Sequence, residues 1–300
     1  MSTAIWVAGE VLIDLIPKDG ERVAIVGGGP ANTARALARL GLDTYFIDGI
    51  STDRYGQQAR TELLADGVKL DYALTSDKPT CVATVTLDTA GGASYEFLIE
   101  GTATFEFDRS WLPDAASPPA ALHIGTLATV IEPGASNLFN WAKEVGAPIV
   151  FDPNIRTSVL GDRKRYQKIV EKWAEISAVI KMSDDDIAWL YPEMDFRSAA
   201  KNFINEKTQL VVITRGAVGI DGFTEDGEAS VPGVKVDVVD TVGAGDTVGA
   251  IIVEGLVKEG LDKLVGTTLE KLLNRAAQAA AITCSRKGAN PPTQEELEGF

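Results

Sequence analysis

The sequence predicts an α/β fold, a three-layer α/β/α core with a mainly parallel sheet and helices on both faces, plus a small β-sheet lid. Three observations carry this expectation. Strand-like and helix-like runs alternate along most of the 300 residues, as in a parallel sheet whose crossovers are helical. Two stretches, Gly20–Val26 and Thr80–Phe107, show strand-like alternation with no helix between. Hydrophobic residues make up 45% and charged residues 24%, which suits one globular domain over 1–300 and excludes disordered, collagen-like and disulfide-scaffold chains.

Taken in order, Ile5–Leu15 is β-rich, and Pro30–Leu40 reads as a helix with Pro in its first turn and Gly41 beyond its end. Thr44–Ile50 reads as a strand and Asp53–Ala65 as an amphipathic helix stopped near Gly67. Strands at Ala121–Ile124, Pro148–Phe151, Ala178–Met182 and Leu210–Thr214 then alternate with helices at Ala135–Val145, Lys164–Glu175, Asp184–Leu190 and Arg197–Glu206. A β-rich run, Val234 to Val239, precedes two closing helices, Ala244–Lys258 and Thr268–Thr283. The interrupting segments, about 15–27 and 80–107, predict an antiparallel lid with a turn at Gly91-Gly92; the alternative is an extra hairpin on the main sheet.

Lys and Arg number 28 against 43 Asp and Glu, a net charge of −15. That field repels phosphate backbones, so nucleic acid is not an expected partner. An anionic substrate must be held by local devices: helix N-termini, backbone N–H nests or single cations. No apolar stretch approaches the roughly 20 residues of a membrane span, and the N-terminus lacks the pattern of a secretory signal. No membrane partner and a cytoplasmic location are expected. Cys81 and Cys284 have no CxxC spacing and fit buried thiols in a reducing compartment, with one disulfide as the alternative. The single histidine, His123, lies in an apolar run and reads as structural, so general-base chemistry falls to a carboxylate.

The segment with most chemical content is Asp240-Thr241-Val242-Gly243-Ala244-Gly245-Asp246, leading into an apolar helix. Small residues there let successive N–H groups approach a ligand where a helix N-terminus concentrates positive potential. Such a nest suits a transferring phosphoryl group, and Asp246 in the first turn could take the proton of an attacking hydroxyl. The plainer reading is a glycine turn with an Asp complementing the helix dipole. The segment is neither a Walker A loop nor a dinucleotide fingerprint. A second cluster, Gly27-Gly28-Gly29-Pro30-Ala31-Asn32, could bring backbone and the Asn32 amide to a polar ligand, or serve only as a flexible strand exit.

These segments together resemble the PfkB, or ribokinase, family of carbohydrate kinases. The resemblance runs in order over nearly the whole chain through Gly9-Glu10 with Asp14, Gly27–Gly41, Asp152-Pro153-Asn154-Ile155-Arg156, Thr214-Arg215-Gly216-Ala217-x-Gly219, Asp240–Asp246 and Cys284–Ala289. It implies a ribokinase-like core with a lid and ATP-dependent phosphorylation of a sugar hydroxyl. By that similarity Asp246 is the base, and the amides of Gly243, Ala244 and Gly245 form the anion hole. Asp14, Gly28 and Asn32 match sugar-binding positions, while Lys181, Ser183, Thr214, Gly216, Gly219 and Ala277 fall on the ATP side. Asp240, Val242, Thr283, Arg286 and Gly288 match a potassium site made largely of backbone carbonyls.

One departure concerns magnesium. Where the family commonly has Asn-x-x-Glu, this chain has Ser183-Asp184-Asp185-Asp186. Asp186 is expected to hold hydrated magnesium through water, the alternative being a helix cap by Ser183 and Asp186. Arg156 is expected to meet phosphate or an acidic sugar. The motifs are similar to the fructokinase and 2-keto-3-deoxygluconate kinase branch, and the absence of Lys and Arg from Thr80–Phe107 favours fructose as substrate. 2-Keto-3-deoxygluconate remains the alternative, and a non-catalytic sugar-binding protein is the rival from another class. A lid sheet could pair with another subunit's as a homodimer or stay single.

Overall fold

The computed structural model describes residues 3–18, 20–87 and 93–300. The chain enters through β1 (Ile5–Ala8) and turns at Gly9 into the lid strands β2 (Leu12–Lys18) and β3 (Glu21–Gly27). It returns through α1 (Gly29–Arg39), β4 (Thr44–Ile47), β5 (Gly49–Ser51), α2 (Arg54–Ala65) and β6 (Leu74–Ser76). The lid is completed by β7 (Val82–Leu87) and β8 (Ala93–Leu98). Alternation then runs β9 (Ala121–Gly125), α3 (Gly134–Val145), β10 (Ile149–Asp152), α4 (Arg163–Ala174), β11 (Val179–Ser183), α5 (Asp184–Leu190), α6 (Phe196–Lys201) and β12 (Leu210–Thr214). An edge hairpin, β13 (Gly219–Thr224) and β14 (Gly227–Pro232), precedes α7 (Ala244–Glu259), α8 (Gly266–Cys284) and α9 (Gln294–Glu298).

The main sheet has eight strands in the order β14-β13-β12-β11-β10-β9-β1-β4, parallel except for the hairpin at one edge. Its strands are apolar on both faces because both are covered. In β1, Ile5 and Val7 join the core under α1, α7 and α8, while Trp6 and Ala8 join the core under α3 and α4. β12 divides the same way, Leu210 and Val212 against Val211 and Ile213. Burying such a side chain contributes about 1.5–3 kcal/mol. β1 pairs with β9 on one side and β4 on the other. Successive crossovers therefore diverge at β1, and a crevice opens at the carboxyl ends of β1 and β9, the usual ligand position in open α/β sheets.

The structure corrects several details of the sequence reading. The lid is a mixed sheet, order β3-β2-β7-β8, in which β2 and β7 run parallel. Its strands begin at Leu12 rather than near 15 and end at Leu98; Phe105 and Phe107 are already back in the core. The Gly91-Gly92 turn lies outside the described residues. Thr44–Ile50 divides between two sheets, β4 in the main one and β5 paired with β6. The β-rich run Val234–Val239 forms no strand, and Val238 and Val239 stay about two-thirds exposed. The helix expected at Arg197–Glu206 ends at Lys201, where the Phe203 and Ile204 N–H groups turn back to the Ala200 and Lys201 carbonyls, and the Asn205 side chain then accepts the N–H groups of Lys207 and Thr208 in a turn.

Candidate active site

A cavity of about 450 Å³ opens at the carboxyl ends of β1, β9 and β10, within the usual range for small-molecule sites. Its floor comes from the main sheet and the first turn of α7, and its outer wall from Ile16, Ile25, Val85 and Phe97, one from each lid strand. Asp14, Gly28, Asn32, Arg156, Lys181, Asp240, Val242, Gly243, Gly245, Asp246 and Gly288 all border it. Residues far apart in sequence therefore meet in one place.

Asp246 sits in the first turn of α7 and is 9% exposed. Its Oδ2 accepts a hydrogen bond from Asn32 Nδ2 at 2.8 Å, and its carbonyl oxygen accepts one from Thr33 Oγ1 at 3.3 Å. Burial pushes the carboxyl up to about 6, while Lys181 and the Asn32 amide work in the opposite direction. A group with that pKa is ionised at neutral pH yet retains basicity, the condition for a general base. Gly243 caps α7 with φ 80, and a Cβ there would lie 2.6 Å from Ala289 Cβ, so the turn requires glycine. The Ala244 N–H bonds Thr241 O at 3.3 Å and Ala244 does not border the cavity; its two glycine neighbours do.

Opposite α7, the segment after β10 supplies Asn154 and Arg156. Asn154 has φ 36 and Thr126 has φ 55, backbone conformations that non-glycine residues rarely hold and that cluster at functional sites. Asn154 Nδ2 donates to Thr126 Oγ1 at 3.2 Å, and Arg156 Nη1 donates to Asn154 Oδ1 at 2.7 Å. A Cβ on Gly29 would meet Thr126 Oγ1 at 2.7 Å and Asn154 Nδ2 at 3.0 Å, so only glycine fits at this junction. Arg156 acts electrostatically on Glu10, Asp14 and Asp246. Burial raises Asp14 to about 6 and Glu10 to about 8, and in each case Arg156 opposes the rise. Glu10 is 1% exposed, and its Oε2 accepts the Ala128 N–H at 3.1 Å.

Of the other expected site residues, Asp240, Val242 and Gly288 border this cavity and the rest lie around it. Ser183 and Asp186 form a capping box on α5: Ser183 Oγ accepts the Asp186 N–H, and Asp186 Oδ2 accepts the Ser183 N–H, both at 3.0 Å. Asp186 Oδ1 also accepts the Ile155 N–H at 3.0 Å, bracing the Arg156 segment. The expected magnesium carboxylate is thus engaged in structure, since an Asp side chain is short enough to fold back on its own helix terminus. Thr214, Gly216 and Gly219 form the turn from β12 to β13, and Ala277 is buried in α8; none borders the cavity. Asp240 takes the Val242 N–H at 3.1 Å and the Gly288 N–H at 2.9 Å, joining the two segments expected around potassium. The Thr283 hydroxyl is buried against Thr247 Oγ1, and the Arg286 guanidinium forks onto Glu296.

A glycine turn at a helix start, a buried carboxylate beside it and a lidded cavity suit a phosphotransferase, and residues 2–296 match the pfkB family carbohydrate kinases. The chain belongs to that family. It is an ATP-dependent carbohydrate kinase. It is 36% identical over 260 residues to a fructokinase of Rhizobium leguminosarum bv. trifolii, covering 84% of this chain and 79% of that one. The fold superposes on a Xylella fastidiosa fructokinase with bound ATP at a TM-score of 0.89, with 24% identity and coverage of 100% and 98%. A Vibrio cholerae O395 fructokinase double mutant holding fructose, ADP and potassium ion matches at 0.87, with 26% identity and coverage of 99% and 98%.

The kinase site also contains residues to which the sequence reading gave no role. Glu10 was visible beside Gly9, but its burial was not. Thr126 and Asn154 carry the strained backbone, and only the Asp-Pro-Asn turn hinted at the second. Among the described residues, no helix is long and apolar enough to cross a membrane.

Proposed function

We propose that the protein transfers the γ-phosphoryl group of ATP to a hydroxyl of a neutral ketose, D-fructose. The observation that carries the choice of a neutral sugar is the surroundings of Arg156. Its guanidinium lies in the field of two carboxylates that are ionised at neutral pH, Asp14 and Asp246, while Glu10, raised to about 8, keeps its proton; Lys181, which also borders the cavity, is paired with Asp152 at 2.8 Å. Neither leaves unbalanced positive charge for a substrate carboxylate. The Rhizobium relative's name and the fructose of the Vibrio structure point the same way.

In this reading Asp14, the Gly28 backbone and Asn32 orient the sugar, with Arg156 setting the charge balance among the carboxyls. The apolar wall of Ile16, Ile25, Val85 and Phe97 excludes water that would otherwise accept the phosphoryl group. The sugar oxygen attacks the γ-phosphorus, its proton passes to Asp246, the bond to the β-phosphate oxygen breaks and ADP leaves. The Gly243 and Gly245 amides at the start of α7 face the charge that spreads over the transferring group, the Ala244 N–H being taken by Thr241 O. The Thr214–Gly219 turn and Ala277 belong to the nucleotide side, and magnesium arrives with ATP. The Asp240 and Gly288 segments would hold a potassium ion through backbone carbonyl oxygens, because the Asp240 carboxylate is spent on the Val242 and Gly288 N–H groups and the Arg286 guanidinium on Glu296. Bound there, the cation would hold the anion-hole loop in shape.

An ADP-release assay across fructose, ribose, glucose, adenosine and 2-keto-3-deoxygluconate tests the reading. Fructose gives the highest kcat/KM if it holds. Preference for 2-keto-3-deoxygluconate would make Arg156 a carboxylate clamp, and activity on none would place the acceptor outside this panel and overturn the choice of fructose.

A further inference from the structure

Lys181 lies within β11, 4% exposed, with its Nζ 2.8 Å from Oδ2 of Asp152 on the adjacent β10. A buried ion pair is a weak stabiliser, because desolvation offsets most of its attraction, and apolar side chains would serve the sheet as well. Its position is also unfavourable for the helix above it. A Cβ on Gly245 would come within 3.0 Å of Nζ, so the ammonium lies directly beneath the first turn of α7. A cation at a helix N-terminus is opposed by the helix dipole. Asp152 balances the ammonium from the sheet, and the residue after Gly245 is a second carboxylate, Asp246.

We propose that Lys181 is a positioning residue that holds the Asp246 carboxylate ionised from below, with Asp152 fixing the ammonium and balancing part of its charge. This rests on the reading of Asp246 as the base, and it replaces the expectation that Lys181 contacts ATP. Four groups act on Asp246 from four segments: Asn32 from α1, Lys181 from β11, Asp152 from β10 and Arg156 from the segment after β10. Burial raises the Asp246 carboxyl, and Lys181 is the largest influence lowering it. For Lys181 itself burial works against charge, yet Asp152, Asp246 and Asp186 together raise its pKa, so the cation persists. The nearby His123, driven down to about 3 by burial and by Lys181, adds no charge.

The test is the pH dependence of kcat/KM for the sugar, followed beside the KM for ATP. Lys181→Met moves the midpoint of the acid limb upward by roughly 1–3 pH units, activity recovers near about pH 9, and the ATP KM stays within about twofold. Lys181→Arg keeps the charge and restores a lower midpoint. Asp152→Asn leaves Lys181 with Asp246 as its anion and moves the midpoint downward; if Lys181→Met does not fold, this opposite shift carries the test. An unmoved acid limb with a raised ATP KM overturns the inference and makes Lys181 an ATP ligand. An inactive Asp246→Asn beside that result leaves the base assignment standing, whereas an active one overturns the reading beneath both.

Discussion

Asn32 Nδ2 donates to Asp246 Oδ2 at 2.8 Å, joining helices that begin 215 residues apart, at Gly29 and Ala244. The amide fixes the carboxylate that faces the cavity, while its own Oδ1 is buried without a hydrogen-bond partner among the described residues. That oxygen is available to a substrate hydroxyl, so one side chain can touch both base and sugar. Asn32→Ala removes a hydrogen bond to a charged group, which is worth about 1.5–3 kcal/mol. The expected outcome is a fall in kcat/KM of roughly tenfold or more with the fold intact. Steady-state kinetics beside a thermal melt check it, and unchanged kinetics would remove Asn32 from the site.

Asp14 and Arg156 separate in their effects. Asp14 is half-buried on β2 and reaches the cavity from the lid side. Asp14→Ala raises the fructose KM by roughly 10- to 150-fold, the equivalent of about 1.5–3 kcal/mol, because a charged partner to a hydroxyl is lost. Arg156→Ala also lets the cavity carboxyls rise in pKa, so its defect is largest at low pH and eases as pH rises. An Arg156→Ala defect independent of pH would contradict the charge balance drawn here.

Much of this was legible in the sequence. The alternation gave the layers, and Asp184–Leu190 matches α5 residue for residue, because its three acidic residues and Ser183 make a strong helix start. The glycine-spaced turn before α7 carried its own chemistry. What was hidden depended on the third dimension. Gly219 and Gly222 weaken the strand pattern of β13, and Asp221 looks like a loop residue until Arg197 and Arg215 pair with it in the buried sheet. Val234–Val239 has β propensity but no partner strand, and propensity yields to pairing. Glu10 could not be weighed at all, since its chemistry comes from burial.

Glu10 makes stability pH-dependent. Its folded pKa of about 8 lies above the usual 4.5, so the native state keeps a proton that the unfolded chain releases. That contribution is complete below the unfolded value and is lost as pH rises through about 8. His123 works in the opposite sense, but its effect ends near its ordinary 6.5, leaving the interval from there to 8 to raised carboxyls such as Glu10 and Asp48. In urea titrations of the unliganded protein, stability should fall across that interval by up to about 1.4 kcal/mol per pH unit for Glu10. Glu10→Gln should flatten the slope. An unaltered slope would place the proton elsewhere.

Potassium should raise turnover above sodium at equal ionic strength. Asp240 ties Val242 to Gly288 through its carboxylate, and that tie keeps the anion-hole loop beside the Cys284–Ala289 turn. Asp240→Ala should therefore lower activity and abolish any difference between the two salts. Equal wild-type rates in sodium-only and potassium-only buffer would contradict the cation site.

The most direct test of phosphoryl transfer at this site is turnover of Asp246→Asn with fructose and ATP, measured beside the binding of both ligands. The asparagine keeps the shape and can still accept the Asn32 hydrogen bond, but it cannot take the hydroxyl proton. Turnover should fall by about 10²–10⁴-fold while ligand affinities stay within roughly threefold. A variant that turns over within about threefold of the wild type would contradict the assignment of Asp246 as the base.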